Sequence, residues 1–279
     1  MAERPKREGI MLANPATERR VLSLGDKFFA QPKYNGERMR VEWFHGEPVL
    51  LSSYGNEFKF LGHIKEMIRE QYGHIQLPLD GEAYVHGWPR ERIHSAVSRK
   101  VNENPDTAKL EFHIFDHQGP GSQWQRIHEL YGKQLPWPLQ LVPYTIETPD
   151  TWMNKAREWT DLGYEGIILR GAIWDYEKKR TSFLLKFKPT EQDEYIIVGV
   201  NEAISKDGYE KGMVGSFSVK GDDETVFDVG AGKMDHPTRT KLWQNRGDII
   251  GKPLLVKHEK IKTVRGIPVC AVAVEVKGL

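Results

Sequence analysis

Asn35-Gly36 stands between two runs that read as strands, Phe28-Phe29-Ala30-Gln31-Pro32-Lys33 and Glu37-Arg38-Met39-Arg40-Val41-Glu42-Trp43-Phe44. Asn-Gly is a strong turn pair, so the segment predicts a hairpin of residues 28–33 and 37–44. It also puts Lys33 at the end of an apolar strand and at the mouth of a sheet, where a phosphate could meet its amine. A lysine amine is a poor nucleophile while protonated, and burial or neighbouring cations turn it into a useful one.

Other runs predict further elements. Leu61 to Tyr72 has helical spacing and stops at Gly73, and Leu77 to Val85 reads as a strand bent at Asp80-Gly81. Helices are expected over 91–97, 124–133 and 151–162, and strands over 110–116, 166–170 and 183–188. Pro189-Thr190-Glu191-Gln192-Asp193 is a polar punctuation and marks the expected domain boundary and hinge. Beyond it strands are expected over 195–200, 215–219, 225–229, 253–260 and 269–276, with one helix over 237–244. That pattern suits a small barrel of the OB type.

Composition narrows the function classes. The one cysteine, Cys270, rules out an internal disulfide framework and a cysteine-rich zinc site. The charged start is not that of a secretory signal, and no apolar run is long enough to span a membrane. A cytoplasmic protein is expected. Net charge is +1, so a polyanion site must come from local clustering.

Several residues could partner the amine. Glu82 in Asp80-Gly81-Glu82 and Glu165 before Gly166 could hold a magnesium ion or a ribose hydroxyl. Lys186 and Lys188 alternate with Phe187, so both cations face one side of a strand and suit a polyphosphate. Phe115 could lend its face to a base. Taken singly, each has an ordinary alternative: a solvated turn carboxylate, a helix-terminating glutamate, an edge strand guarded by lysines, a core phenylalanine.

In order, Lys-x-Asn-Gly-x-Arg, Asp-Gly-Glu, Phe-Asp, Glu-Gly-Ile-Ile and Lys-x-Lys, followed by the barrel-like tail, resemble the covalent nucleotidyltransferases. Within that superfamily the chain is most similar to compact ATP-dependent DNA ligases of phages and bacteria. The resemblance implies an α+β fold of two domains. Residues 1–189 would form an adenylation domain of antiparallel sheets with flanking helices, and 190–279 an OB-fold domain. It implies that Lys33 takes AMP from ATP as a phosphoramidate and passes it to a 5′-phosphate, and that a 3′-hydroxyl then seals the nick. Tyr34 lies in the same nucleotide-binding run. By the same resemblance Lys186 and Lys188 hold the α-phosphate, Glu165 and Glu82 bind Mg2+ or Mn2+, and Glu82 lies near the ribose. Phe115 stacks on adenine, Gln31 reads its edge, and Arg38 contacts the nucleotide and later the nick phosphate.

The chain departs from the family pattern at three places. Asn35 stands where aspartate is commoner. Ser53 stands where an arginine is usual, so that arginine's part is either missing or taken by Arg40. The closing Arg-x-Asp-Lys element of larger ligases is absent. The expected partner is nicked duplex DNA gripped by backbone charge, with Arg40, Arg90, Arg92, Arg99 and Lys100 in the first domain. Lys252, Lys257, Lys260, Lys262 and Arg265 are the candidates in the tail. With little chain before Lys33, the two domains alone would close on the duplex, as a monomer. An RNA ligase or capping guanylyltransferase of the same superfamily is the alternative.

Overall fold

The computed structural model describes residues 6–132, 134–221, 224–260, 263 and 265–278. The chain divides into two compact units, Met1–Lys188 and Pro189–Leu279. The first holds, in order, β1 (Leu12–Pro15), α1 (Glu18–Leu22), β2 (Phe28–Lys33), β3 (Glu37–Phe44), β4 (Glu47–Ser52), α2 (Gly62–Tyr72), β5 (Leu79–Tyr84), α3 (Arg90–Val97), β6 (Glu111–His117), α4 (Gln123–Tyr131), β7 (Leu139–Leu141), β8 (Thr145–Glu147), α5 (Trp152–Asp161), β9 (Gly166–Gly171) and β10 (Arg180–Phe187). Two five-stranded sheets result, ordered β1-β10-β9-β2-β8 and β4-β3-β5-β6-β7.

The expected hairpin does not form. β2 pairs with β8 and β9 in one sheet, whereas β3 pairs with β4 and β5 in the other. Neither Asn35 nor Gly36 has the positive φ that a type I′ turn needs. Gly36 is required by close approach instead: a Cβ there would lie 2.4 Å from the carbonyl oxygen of Ala83 and 2.8 Å from Cγ of Glu82. The segment therefore carries the chain from one sheet to the other directly after Lys33. The tight hairpin is β3–β4, closed by His45 (φ +50°) and Gly46 (φ +83°).

The sheets are also not wholly antiparallel. β1 runs parallel to β10, and β6 parallel to β7. β7 follows β6 through α4, the crossover that a parallel pair requires. Helix α4 starts at a capping box in which Ser122 and Gln125 satisfy each other's backbone N–H groups.

Each sheet buries one apolar face. Helix α2 puts Ile64, Ile68 and Tyr72 on the second sheet, against Met39, Val41, Leu79 and Phe112. Helix α5 puts Trp152, Ala156 and Trp159 on the first, against Phe28, Ala30, Ile167 and Leu169. Spacing of three and four residues turns each set onto a single stripe.

The second unit is a closed barrel of β11 (Thr190–Ile204), β12 (Glu210–Lys220), β13 (Val226–Gly230), β14 (Pro253–Glu259) and β15 (Val272–Val276), ordered β11-β12-β13-β15-β14. Helices α6 (His236–Gln244) and α7 (Arg246–Ile249) lie between β13 and β14. Five strands with a helical insertion there make an OB-like barrel. Asp235 caps α6, accepting from the N–H of Thr238 at 2.9 Å, with Pro237 in the first turn.

The polar run 190–193 is not a linker. Thr190 to Asp193 pair with Glu259 to Val256 as the start of β11. These residues are polar because their side chains are exposed there, not because the backbone is irregular. Among the described residues, no helix is long and apolar enough to cross a membrane.

Candidate active site

Three neighbouring strands of the first sheet deliver the site. Lys33 ends β2 and pairs with Gly166, which begins β9, and the N–H of Glu165 donates to the Lys33 carbonyl at 2.9 Å. β9 in turn pairs with β10, Ile167 opposite Phe187, so Lys188 emerges at the same edge. The Glu165 side chain is 5 % exposed and bridges two amines: Lys33 Nζ donates to its Oε2, and Lys188 Nζ pairs with its Oε1. Lys33 Nζ also donates to the Tyr34 carbonyl at 3.3 Å. Close packing enforces this convergence, since a Cβ on Gly166 would lie 2.1 Å from the carbonyl oxygen of Phe187.

Alternation on β10 turns Lys186 to the same face as Lys188. Burial lowers the Lys186 pKa, and the charges of Lys33, Lys188, Arg180 and Arg7 lower it further.

The second sheet supplies the facing acid. Glu82 on β5 lies opposite Arg38 on β3. Burial pushes its pKa up to about 7; Lys33 and Arg38 pull it down, and Glu165 and Glu37 push it up. Glu82 and Glu165 therefore act on one another and on the same amine. Among the described residues no group of three or more His, Cys, Asp or Glu side chains could enclose a metal ion. Two carboxylates fit magnesium, which binds through one or two carboxylates together with substrate phosphates.

Arg38 is fixed by Asp80: its Nε donates to Oδ1 at 2.7 Å and its Nη2 to Oδ2 at 2.5 Å. The Asp80 carboxylate also accepts from Tyr176 at 2.5 Å. A β-bulge between Asp80 and Gly81 accompanies this arrangement. The ring of Phe115 faces two guanidinium groups, Arg38 at 4.7 Å and Arg170 at 5.0 Å from its centroid.

Gln31 is not available to read a base. It is 1 % exposed; its Oε1 accepts from Arg170 Nε at 2.6 Å, and its Nε2 donates to the Phe115 carbonyl at 3.2 Å. It belongs to a buried network that the sequence did not reveal. Asp116 accepts from Arg126 at 2.9 and 3.3 Å and from Arg170 at 2.9 Å, and Gln123 accepts from Arg126 at 2.9 Å. This network ties the strand of Lys33 to that of Phe115. Tyr34 is likewise buried, its ring stacked on Tyr84 at 4.6 Å, so it supports the site from behind.

The expected DNA contacts fare unevenly. Arg40 is 7 % exposed, with its guanidinium held by the Glu8 carbonyl and by Glu42 at 3.0 Å, so it cannot replace a missing contact arginine. Arg90 donates to Glu37 at 2.7 Å. Arg92 pairs with Asp106 and lies 3.7 Å over the Trp88 ring, still at the surface. Arg99 and Lys100 are exposed just beyond α3. In the barrel, Lys252 donates to the Gly278 carbonyl at 3.0 Å, and Lys257 and Arg265 are exposed. Lys262 lies outside the described residues.

No protein-family model matches the chain, and no curated protein matches by sequence. Solved structures do match. Pmar-Lig_Pre. superposes with a TM-score of 0.82 at 21% identity, over 99% of this chain and 68% of its own. A structure from a study of Lig E DNA ligases and their DNA binding with a minimal scaffold gives 0.77 at 21%, over 96% and 99%. The ATP-dependent DNA ligase of bacteriophage T7, in complex with ATP, gives 0.53 at 13%, over 96% and 98%. With two sheets meeting at Lys33 in the first unit and an OB-like barrel as the second, the chain has the fold of the ATP-dependent DNA ligases.

Proposed function

We propose that this protein is an ATP-dependent DNA ligase that seals 5′-phosphate/3′-hydroxyl nicks in duplex DNA through Lys33. The observation that supports this most is the junction itself: one amine, a carboxylate touching it, two further lysines on one face and a second carboxylate opposite. The Lys33 amine attacks the α-phosphorus of ATP; an N–P bond forms, the bond to the bridging oxygen breaks, and pyrophosphate leaves. The Glu165 carboxylate, in contact with the Lys33 nitrogen, orients it for attack. Lys186 and Lys188 stand where negative charge gathers in the transition state. Magnesium bound by Glu82 and Glu165 with the phosphates would neutralise further charge. The 5′-phosphate then takes AMP from Lys33, and the 3′-hydroxyl displaces AMP to close the strand.

Protein incubated with α-labelled ATP and magnesium should become covalently labelled, and Lys33→Ala should abolish the label. An unlabelled wild type would overturn the proposal. Sealing of nicked DNA and nicked RNA duplexes of one sequence separates the alternatives. A preference for RNA above about tenfold, roughly 1.4 kcal/mol of transition-state binding, would reassign the substrate.

A further inference from the structure

The loop between β9 and β10, residues 172–179, is pinned from three sides. The N–H groups of Gln123 and Trp124, at the start of α4, donate to the carbonyls of Trp174 and Ala172, each at 2.9 Å. Arg126 Nη1 donates to the Trp174 carbonyl at 3.2 Å, and the Trp174 ring stacks on Phe183 of β10 with centroids 3.5 Å apart. The N–H of Leu12, which begins β1, donates to the Lys179 carbonyl at 3.0 Å. From this fixed loop Tyr176 reaches across to the second sheet. Its hydroxyl donates to Asp80 Oδ2 at 2.5 Å and accepts from the Met11 N–H at 3.0 Å. Desolvation of the hydroxyl, and then the Asp80 charge, push its pKa well above the ordinary tyrosine range, so it stays a donor.

These contacts close a ring. Arg38 Nη2 donates to Asp80 Oδ2 at 2.5 Å and to the Met11 carbonyl at 3.3 Å; the Met11 N–H holds Tyr176, and Tyr176 holds Asp80. Arg38 Nε takes the other carboxylate oxygen at 2.7 Å. The Nε–H and both Nη2 hydrogens of the guanidinium are thereby occupied. Among the described residues, Nη1 has no hydrogen-bond partner, and the Arg38 side chain is 22 % exposed. A planar fork held along one side offers its remaining donors in one fixed direction. We propose that Tyr176 is a positioning residue: with the Met11 main chain it locks Asp80, and through Asp80 the Arg38 guanidinium, so that Nη1 faces the bound nucleotide. Tyr176 itself touches no reacting atom. Its hydroxyl removes the freedom that a loosened fork would have to give up on binding. This rests on the ligase reading above.

The test compares wild type, Tyr176→Phe, Arg38→Lys and the double variant at a temperature where circular dichroism shows each of them folded. Phenylalanine keeps the ring and removes only the hydroxyl; lysine keeps a charge for Asp80 and removes the fork. The first measurement is the rate of covalent labelling by α-labelled ATP with magnesium. Tyr176→Phe should slow labelling about tenfold in the wild-type background and less than about twofold in the Arg38→Lys background, where no fork remains to be oriented. Equal losses in both backgrounds would give Tyr176 a merely structural role and overturn the proposal. A loss below about twofold in the wild-type background would overturn it as well. The second measurement needs no catalysis: hydrogen exchange of the Arg38 Nε–H by nitrogen-15 NMR, its signal assigned by its loss in Arg38→Lys. Tyr176→Phe should speed that exchange by about fivefold or more, and unchanged exchange would overturn the proposal. A wild type that fails to label would refute the ligase reading, and the exchange rates would still decide whether Tyr176 fixes Arg38.

Discussion

Replacing Asp116 by asparagine should destabilise the first unit far more than the same change at an exposed carboxylate. Asp116 and Arg126 are fully buried, and Arg170 is 4 % exposed. The carboxylate accepts two bonds from Arg126, one from Arg170 and one from the His117 N–H at 2.9 Å. Asparagine keeps the volume and one acceptor but leaves two buried guanidinium groups without their counter-charge. Breaking a buried ion pair from one side costs about 3–5 kcal/mol, a large share of the roughly 5–15 kcal/mol that holds a domain together. With a urea dependence of about 2–3 kcal/mol per molar for a unit of this size, the unfolding midpoint should fall by about 1–2 M. The control is Asp106→Asn. Asp106 also meets two cations, Arg92 at 2.7 and 2.9 Å and Lys109 at 2.9 Å, but at the surface, where solvent screens the pair. Urea titration followed by far-ultraviolet circular dichroism should show no resolvable shift for Asp106→Asn. Equal midpoints for the two variants would refute the claim that burial sets the magnitude.

Other consequences follow from single residues. The Glu82 pKa is raised to about 7, so the folded chain binds this proton more tightly than the unfolded chain does. That contribution to stability is complete below the ordinary carboxylate range and is lost as pH rises to about 7; Glu82→Gln should flatten the slope in that window. If ionised Glu82 is the working form, sealing should increase through pH 7 and lose that limb in the same variant. Gly36→Ala places a methyl group against the Ala83 carbonyl and should reduce labelling by Lys33 while circular dichroism stays close to wild type. Tyr176→Phe removes the hydroxyl that donates to Asp80 and accepts from the Met11 N–H at 3.0 Å, and should lower stability by about 1–3 kcal/mol in the same titration.

Two kinds of information can be told apart in this chain. Local rules sufficed where one short segment carries its own signal: α2 ending at Gly73 and the bend at Asp80-Gly81. They failed where pairing is decided at long range. Asn35-Gly36 looks like a hairpin turn, yet β2 pairs with β9, whose chain follows more than a hundred residues later. His45-Gly46 makes the hairpin that Asn35-Gly36 does not.

The site divides along the same line. Residue types and their order marked Lys33, Glu82, Glu165, Lys186 and Lys188 as chemistry-bearing, because nucleophile, acid and cation are properties of single side chains. Nothing in the sequence distinguishes a buried arginine from an exposed one. Only tertiary packing buried Arg40 against the Glu8 carbonyl, withdrew Gln31 into the Asp116 network and brought Tyr176 to Asp80. By itself the sequence determined which groups could act on a phosphate. The tertiary structure decided which of them meet, because burial and approach depend on strands that are distant along the chain.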